Sequence, residues 1–185
     1  MKKLIIFTTL VLLAGVCITT QSCKKIHLLN YDLPLRTYVM LHIPPGDSTA
    51  LISDTSISYV DIDSVVKGGT GSVYGYKNIS SIKLTSLTMT LANGDDSDNF
   101  ANFQSCFLSF TTNSGTNYSS AYQLDLTNIP DSYTNYKALP VSTTDELKSY
   151  LIGNQFNISG GGVLRRRTTK TLNCQVQIDF NMHVN

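Results

Sequence analysis

Between residues 172 and 182 apolar and polar side chains alternate without an exception. Leu172, Cys174, Val176, Ile178, Phe180 and Met182 fall on one side, Asn173, Gln175, Gln177, Asp179 and Asn181 on the other. Successive side chains of a β-strand point to opposite faces, so the pattern predicts a long strand with one face buried and one wet. Residues 35–43 carry apolar side chains in both phases: Tyr38 and Met40 share one side with His42, and Val39, Leu41 and Ile43 share the other. That predicts a strand buried on both faces or swinging between them, stopped by Pro44, Pro45 and Gly46. In 82–91, Ile82 and Leu84 keep one phase and Leu87, Met89 and Leu91 the other. A change of phase at Thr85 and Ser86 is what a β-bulge produces.

Asn93-Gly94 then favours a turn. Cys106, Leu108 and Phe110 share one face of the next strand, within 102–110, which reads as the returning arm of a hairpin with a long connection. Residues 121–126, with Tyr122, Leu124 and Leu126 in phase, add a further meander step. Phe156 and Ile158 open another strand, which runs through Gly160, Gly161 and Gly162 into Arg165, Arg166 and Arg167 and is expected to pair with the C-terminal strand. Helix signals are sparse. Thr143 with Glu146 forms a capping box, Leu147, Tyr150 and Leu151 share a face, and Gly153 supplies a stop, predicting one short helix. Residues 61–67, with Ile62, Val65 and Val66 inward, predict a weaker helical turn before Gly68, Gly69 and Gly71. Many short strands at intervals of 8 to 12 residues with an isolated helix predict a mainly β chain: a single antiparallel β-sandwich, immunoglobulin-like, over residues 31–185.

Composition agrees and narrows function. Asp outnumbers Glu twelve to one, Trp is absent, and Ser, Thr and Asn make up about 30 % of 185 residues, a mixture suited to strands and polar turns rather than helices. With 14 Lys+Arg against 13 Asp+Glu, the cationic excess that nucleic-acid binding needs is missing. At 42 % hydrophobic residues the chain can bury enough apolar surface to fold.

The N-terminus has its own layout. Lys2 and Lys3 precede an apolar run over 4–16 and a polar stretch ending in Ser22-Cys23. The run is too short for a comfortable membrane span of about 20 residues and has the order of an export signal. Cys23 follows a small residue, whereas Cys17 follows Val16. The Thr20-Gln21-Ser22-Cys23 junction resembles the lipobox of bacterial lipoproteins, in the loose form common in Bacteroidota, with Thr20 and Gln21 where the stricter box has Leu and Ala. The resemblance implies a signal peptide over 1–22, a diacylglyceryl thioether and an N-acyl chain such as palmitate on Cys23, and a lipidated tether over 23–30. Membrane lipid is then the implied partner, and several acyl chains would anchor firmly where one alone is marginal. Surface-exported lipoproteins of that lineage are acidic after the anchor. Lys24 and Lys25 stand here instead, which implies the cell envelope, at an outer membrane, facing the periplasm.

Candidate chemistry is thin. A Ser-His-acid triad needs a positioned histidine, and the chain has only His27, His42 and His183, with no Gly-x-Ser-x-Gly elbow. No His or Cys pair has zinc-ligand spacing, and Gly68, Gly69 and Gly71 lack the Lys-Ser/Thr of a phosphate loop. Asp95, Asp96 and Asp98 could supply hard oxygens to Ca²⁺, or could bond their own loop backbone. Arg165 to Arg167 could grip an acidic partner or lipid headgroups, or keep a sheet edge soluble. Among ten tyrosines, Tyr74, Tyr76, Tyr118, Tyr122, Tyr133 and Tyr136 could stack on a sugar, or could be half-buried rim residues. Cys106 and Cys174 could form a disulfide in an oxidising compartment or serve as buried thiols. Asp61, Asp63 and Asp125 are the carboxylates an enzyme would draw on. The expected function is a membrane-anchored, non-catalytic structural or interaction module; a glycan- or Ca²⁺-binding module is the rival.

Overall fold

The structure, a computed structural model, describes residues 30–112, 122–141, 145–151 and 155–185. The expected signal peptide and tether up to residue 29, with Cys23, and also Tyr118, Thr143 and Gly153, lie outside the described residues. Among the described residues eight strands form: β1 (Tyr31–Ile43), β2 (Leu51–Tyr59), β3 (Ile79–Leu91), β4 (Phe103–Thr112), β5 (Tyr122–Leu126), β6 (Tyr136–Ala138), β7 (Gln155–Leu164) and β8 (Leu172–Val184). They make two four-stranded antiparallel sheets, ordered β1-β8-β3-β6 and β2-β7-β4-β5. Inward residues of both sheets form one core, so the chain is the β-sandwich its strand pattern predicts.

Within that class the strand order is that of an eight-stranded jelly roll. The immunoglobulin-like expectation therefore holds for two packed antiparallel sheets and not for the connections between strands. Only β4 and β5 are both consecutive in sequence and paired. The expected hairpin of β3 with β4 is a crossing between sheets, and β7 lies between β2 and β4 rather than beside β8. Alternation of side chains shows which face is buried and carries no information about which buried face a strand joins.

β8 alternates buried side chains with half-exposed ones, Gln175 being exposed, along its whole length and pairs with both β1 and β3. The register of β3 on β8 shifts between Leu84 and Ser86, the bulge expected there, and the Thr85 hydroxyl donates to the Asp179 carbonyl at 3.0 Å. β1 is buried on one side only. Val39, Leu41 and Ile43 face the core, while Tyr38 and Met40 are 53 % and 38 % exposed, because nothing covers the outer face of this sheet among the described residues.

Helical structure differs from expectation in place. Helix α1 (Ile62–Gly69) is capped by Asp61, whose side chain accepts from the Ser64 amide at 3.0 Å, and it buries Ile62 and Val66 with Val65 partly covered. Where the capping-box helix was expected, residues 145–151 hold a single 3-10 turn, Lys148–Tyr150. The Leu147 amide donates to the Ile82 carbonyl at 2.8 Å, and Glu146 accepts from the Ile82 and Lys148 amides. Bonds to β3 replace those a helix would make, and Leu147 and Leu151 plug the core.

The edge of β1 is protected. The His42 amide points away from β8 and donates to Asp54 at 2.7 Å. Backbone groups alternate sides along a strand, so Pro34, eight residues earlier in an unbroken register, puts its missing N–H on the same free edge.

Sheet spacing around β7 depends on glycine. A Cβ on Gly161 would lie 2.0 Å from the Ile52 carbonyl oxygen, and one on Gly162 would lie 2.1 Å from that of Ser105. Backbone on both flanks cannot yield as a flexible side chain would. Gly161→Ala is expected to destabilise by about 1–3 kcal/mol, whereas Gly68→Ala, helical with nothing within 4 Å of the added carbon, should be neutral or stabilise by up to about 1 kcal/mol. Urea unfolding of the two variants beside the parent checks the pair.

Candidate functional site

The acidic loop between β3 and β4 is tied into the protein by its own side chains. Asp95 Oδ1 accepts from the Ser97 and Asp98 amides, both at 2.9 Å, and Oδ2 meets Lys170 Nζ at 2.5 Å. The Lys170 contact, followed by these amides, holds the Asp95 carboxyl below the ordinary range. Asp98 is buried and accepts from the Thr169 amide at 2.8 Å and hydroxyl at 2.6 Å. Asn99 and Asn102 cap the adjoining 3-10 turn, Phe100–Asn102, and bond back to the carbonyls of Asp95, Asp96 and Ser97. The carboxylates of Asp95 and Asp98 thus face amides, hydroxyls and an ammonium, while that of Asp96 is exposed. Among the described residues no group of three or more His, Cys, Asp or Glu converges as a metal site.

Cys106 on β4 and Cys174 on β8 both point into the core, from opposite sheets, and both are free thiols. Of the two readings of this pair, the structure has the buried thiols and not the disulfide. Burial pushes each up to about 12, because a thiolate there would lose its hydration.

The arginines do not form an exposed strand. β7 ends at Leu164, and the three lie in the crossing to β8. Arg165 donates to the carbonyls of Ile129 at 2.6 Å and Ala101 at 3.3 Å, Arg166 pairs with both oxygens of Asp131, and Arg167 stands 3.6 Å from Asp47. Other candidates are spent on structure. Asp61 caps α1; Asp63 accepts from the Tyr76 amide at 2.8 Å and pairs with Lys67; Asp125 accepts from Gln123. His42 bonds Asn173 and His183 bonds Asp32, each at 2.9 Å.

Of the tyrosines, Tyr74 is buried, and Tyr122 is half-buried against Phe110 and Tyr150, its hydroxyl donating to Asp145 at 2.7 Å. Burial, then the Asp145 contact, pushes the Tyr122 phenol up to about 12. Tyr133 and Tyr136 are exposed, and Tyr38, which the loop-based expectation missed, joins Tyr136 on the outer face of the first sheet. Strand register lays that face out in rows. One reads Met40, Gln175, Thr90, Tyr136 and the next Tyr38, Gln177, Thr88, Ala138. The row beyond holds Arg36 and Asp179, joined at 2.5 Å. That hydrogen bond holds the Asp179 carboxyl below its ordinary range and raises Arg36. Beside the pair, at the bulge, lies an open depression of about 400 Å³ lined by Pro34, Leu35, Arg36, Thr85, Asp179 and Phe180. Exposed Tyr38 was legible only as an apolar residue in a noisy alternation, since which phase faces out is a tertiary property.

No protein-family model and no curated protein matches the chain. Solved structures do. A chain of the empty head of turnip yellow mosaic virus is 11 % identical over 88 % of this chain and 85 % of its own, with a TM-score of 0.31. The decameric BFDV capsid protein is 8 % identical over 86 % and 100 %, at 0.34. The K1 cleaved adhesin domain of the Lys-gingipain of Porphyromonas gingivalis W83 is 10 % identical over 82 % and 98 %, at 0.27. At such identities and scores the architecture is read from the strands themselves.

Two outcomes follow from the ionisable groups. Cys106 and Cys174 should resist iodoacetamide at pH 8 in the folded protein and be alkylated once it is denatured without reductant, as peptide mass spectrometry would show. Asp61, Asp63, Asp95 and Asp179 all have lowered folded-state values. At acid pH the unfolded chain therefore binds more protons than the folded one, and stability rises with pH through that window. Unfolding free energy should be level above about pH 5 and fall as pH drops through and below the ordinary carboxylate range near 4, with a shallower fall for Asp179→Asn; urea titrations from pH 7 to pH 2 measure it.

Proposed function

We propose that the protein is an envelope lipoprotein: acyl chains on Cys23 hold a non-catalytic β-sandwich at a membrane face, where it serves as a structural or interaction module. The observation that carries this reading is the order of residues at the N-terminus, a Lys2-Lys3 pair, an apolar run and a Ser22-Cys23 junction. Several features support it. β1 begins at Tyr31, eight positions after Cys23, so a tether at full extension reaches no more than roughly 30 Å and keeps the sandwich close to the bilayer. Removal of residues 1–22 takes away Lys2 and Lys3 and leaves 12 basic against 13 acidic residues, a near-neutral module that owes its place to lipid rather than to charge. Every described histidine, and the carboxylates Asp61, Asp63 and Asp125, has a structural partner, which favours binding over catalysis. Lys24 and Lys25 favour a periplasm-facing anchor on an outer membrane.

The test is fractionation with intact mass. The wild type should partition with membranes and carry the mass of a diacylglyceryl group and an added acyl chain on residues 23–185. Cys23→Ala should move to the soluble fraction or accumulate with its leader uncut, and Cys17→Ala should behave as wild type. A Cys23→Ala protein of unchanged mass and unchanged partition would overturn the reading.

A further inference from the structure

We infer that the outer face of the first sheet is a binding site for a neutral oligosaccharide, seated across β1, β8, β3 and β6 on the rows that hold Tyr38, Gln175, Gln177, Thr88, Thr90 and Tyr136. Chemistry and layout both point there. Tyr38 and Tyr136 are 53 % and 55 % exposed and stand on the two outermost strands of the sheet. With neighbouring strands spaced about 4.8 Å apart, they bracket a strip of roughly 14 Å. Between them lie amides and hydroxyls, groups that donate and accept at one point as sugar hydroxyls do. The side chains of Gln175, Thr88 and Thr90 bond to no other protein group among the described residues, and Gln177 spends one N–H on Asp179 at 2.9 Å.

Charge selects the ligand class. The two central rows carry no formal charge, so an anionic or cationic ligand would be desolvated there without a counter-ion. The bordering Arg36–Asp179 pair is neutralised within itself at 2.5 Å and 3.3 Å. It still leaves donors and acceptors facing the depression at the bulge, where vicinal hydroxyls would fit. A lipid surface is disfavoured by the amide-bearing central strand, since Gln175 is exposed mid-face. Aromatic rings at the margins would cover the C–H faces of sugar rings, and the uncovered sheet face between would take a chain lying across the strands. This site does not depend on the acyl chains.

The experiment uses the full-length protein as it matures in cells, extracted in a detergent without a sugar headgroup. Isothermal titration is run against cellohexaose, laminarihexaose, maltohexaose and mannohexaose, with an oligogalacturonate as the charged comparison. At least one neutral hexasaccharide should bind, the oligogalacturonate should not, and Tyr38→Ala and Tyr136→Ala should each weaken binding by about tenfold, equivalent to about 1.4 kcal/mol. Gln177→Ala should weaken it as well. Tyr59→Ala, an exposed tyrosine on β2 of the other sheet, should leave affinity unchanged, and all four variants should unfold at the parent's urea midpoint. Silence from every neutral sugar, preference for the oligogalacturonate, or binding insensitive to Tyr38 and Tyr136 would each overturn the proposal, whatever the fractionation of Cys23→Ala shows.

Discussion

The sandwich depends on a single row of side chains, the inward face of β8. Leu172, Cys174, Val176, Ile178, Phe180, Met182 and Val184 are all buried, and the strand carrying them is hydrogen-bonded on both sides. Full burial of one such aliphatic or aromatic side chain contributes about 1.5–3 kcal/mol, so this row is a large apolar contribution from one element. The Phe180 ring meets Phe110 of the opposite sheet edge-on at 6.3 Å, which couples the two layers. β1 and β3 have no ladder partner in common other than β8. Remove it and the first sheet falls into separate ribbons.

Glycine on the other layer answers this packing. A side-chain carbon on Gly160 would approach Leu41 at 2.5 Å and Leu108 at 3.0 Å. The bare backbone of β7 lets Leu41, which sits opposite Cys174 in the β1–β8 register, seat against the second sheet. Bulk on β8 and β1 is thus matched by its lack on β7, the complementarity that a close-packed interior requires.

Much of the local structure was legible in the sequence. Strict alternation marked β8, the phase change at Thr85 and Ser86 marked the bulge, and Ile62, Val65 and Val66 in step before the glycines marked the turn that α1 makes, though not its Asp61 cap. Connectivity was not, because alternation is the same whether a strand continues in its own sheet or crosses to the other. Both β3 to β4 and β7 to β8 were read as neighbours for that reason. The capping-box signal at Glu146 was real chemistry with a different partner: its carboxylate serves the Ile82 amide, a contact 64 residues distant. At the candidate site the loop tyrosines drew notice because loops carry function, yet Tyr74 and Tyr122 serve the core. Tyr38 and Tyr136 come together only through strand order, which a one-dimensional pattern does not encode.

The ladder of Tyr31 to Ile43 against Leu172 to Val184 joins the earliest strand to the last. β1 finds its one sheet neighbour, and β3 its long one beside the three-residue β6, only once the thirteen-residue β8 has been synthesised, and loop closure over such separations slows folding. A chain lacking β8 leaves the first sheet without the row of side chains that closes the core. Proteolytic loss of β8 would leave an unclosed product, its strand edges exposed to degradation.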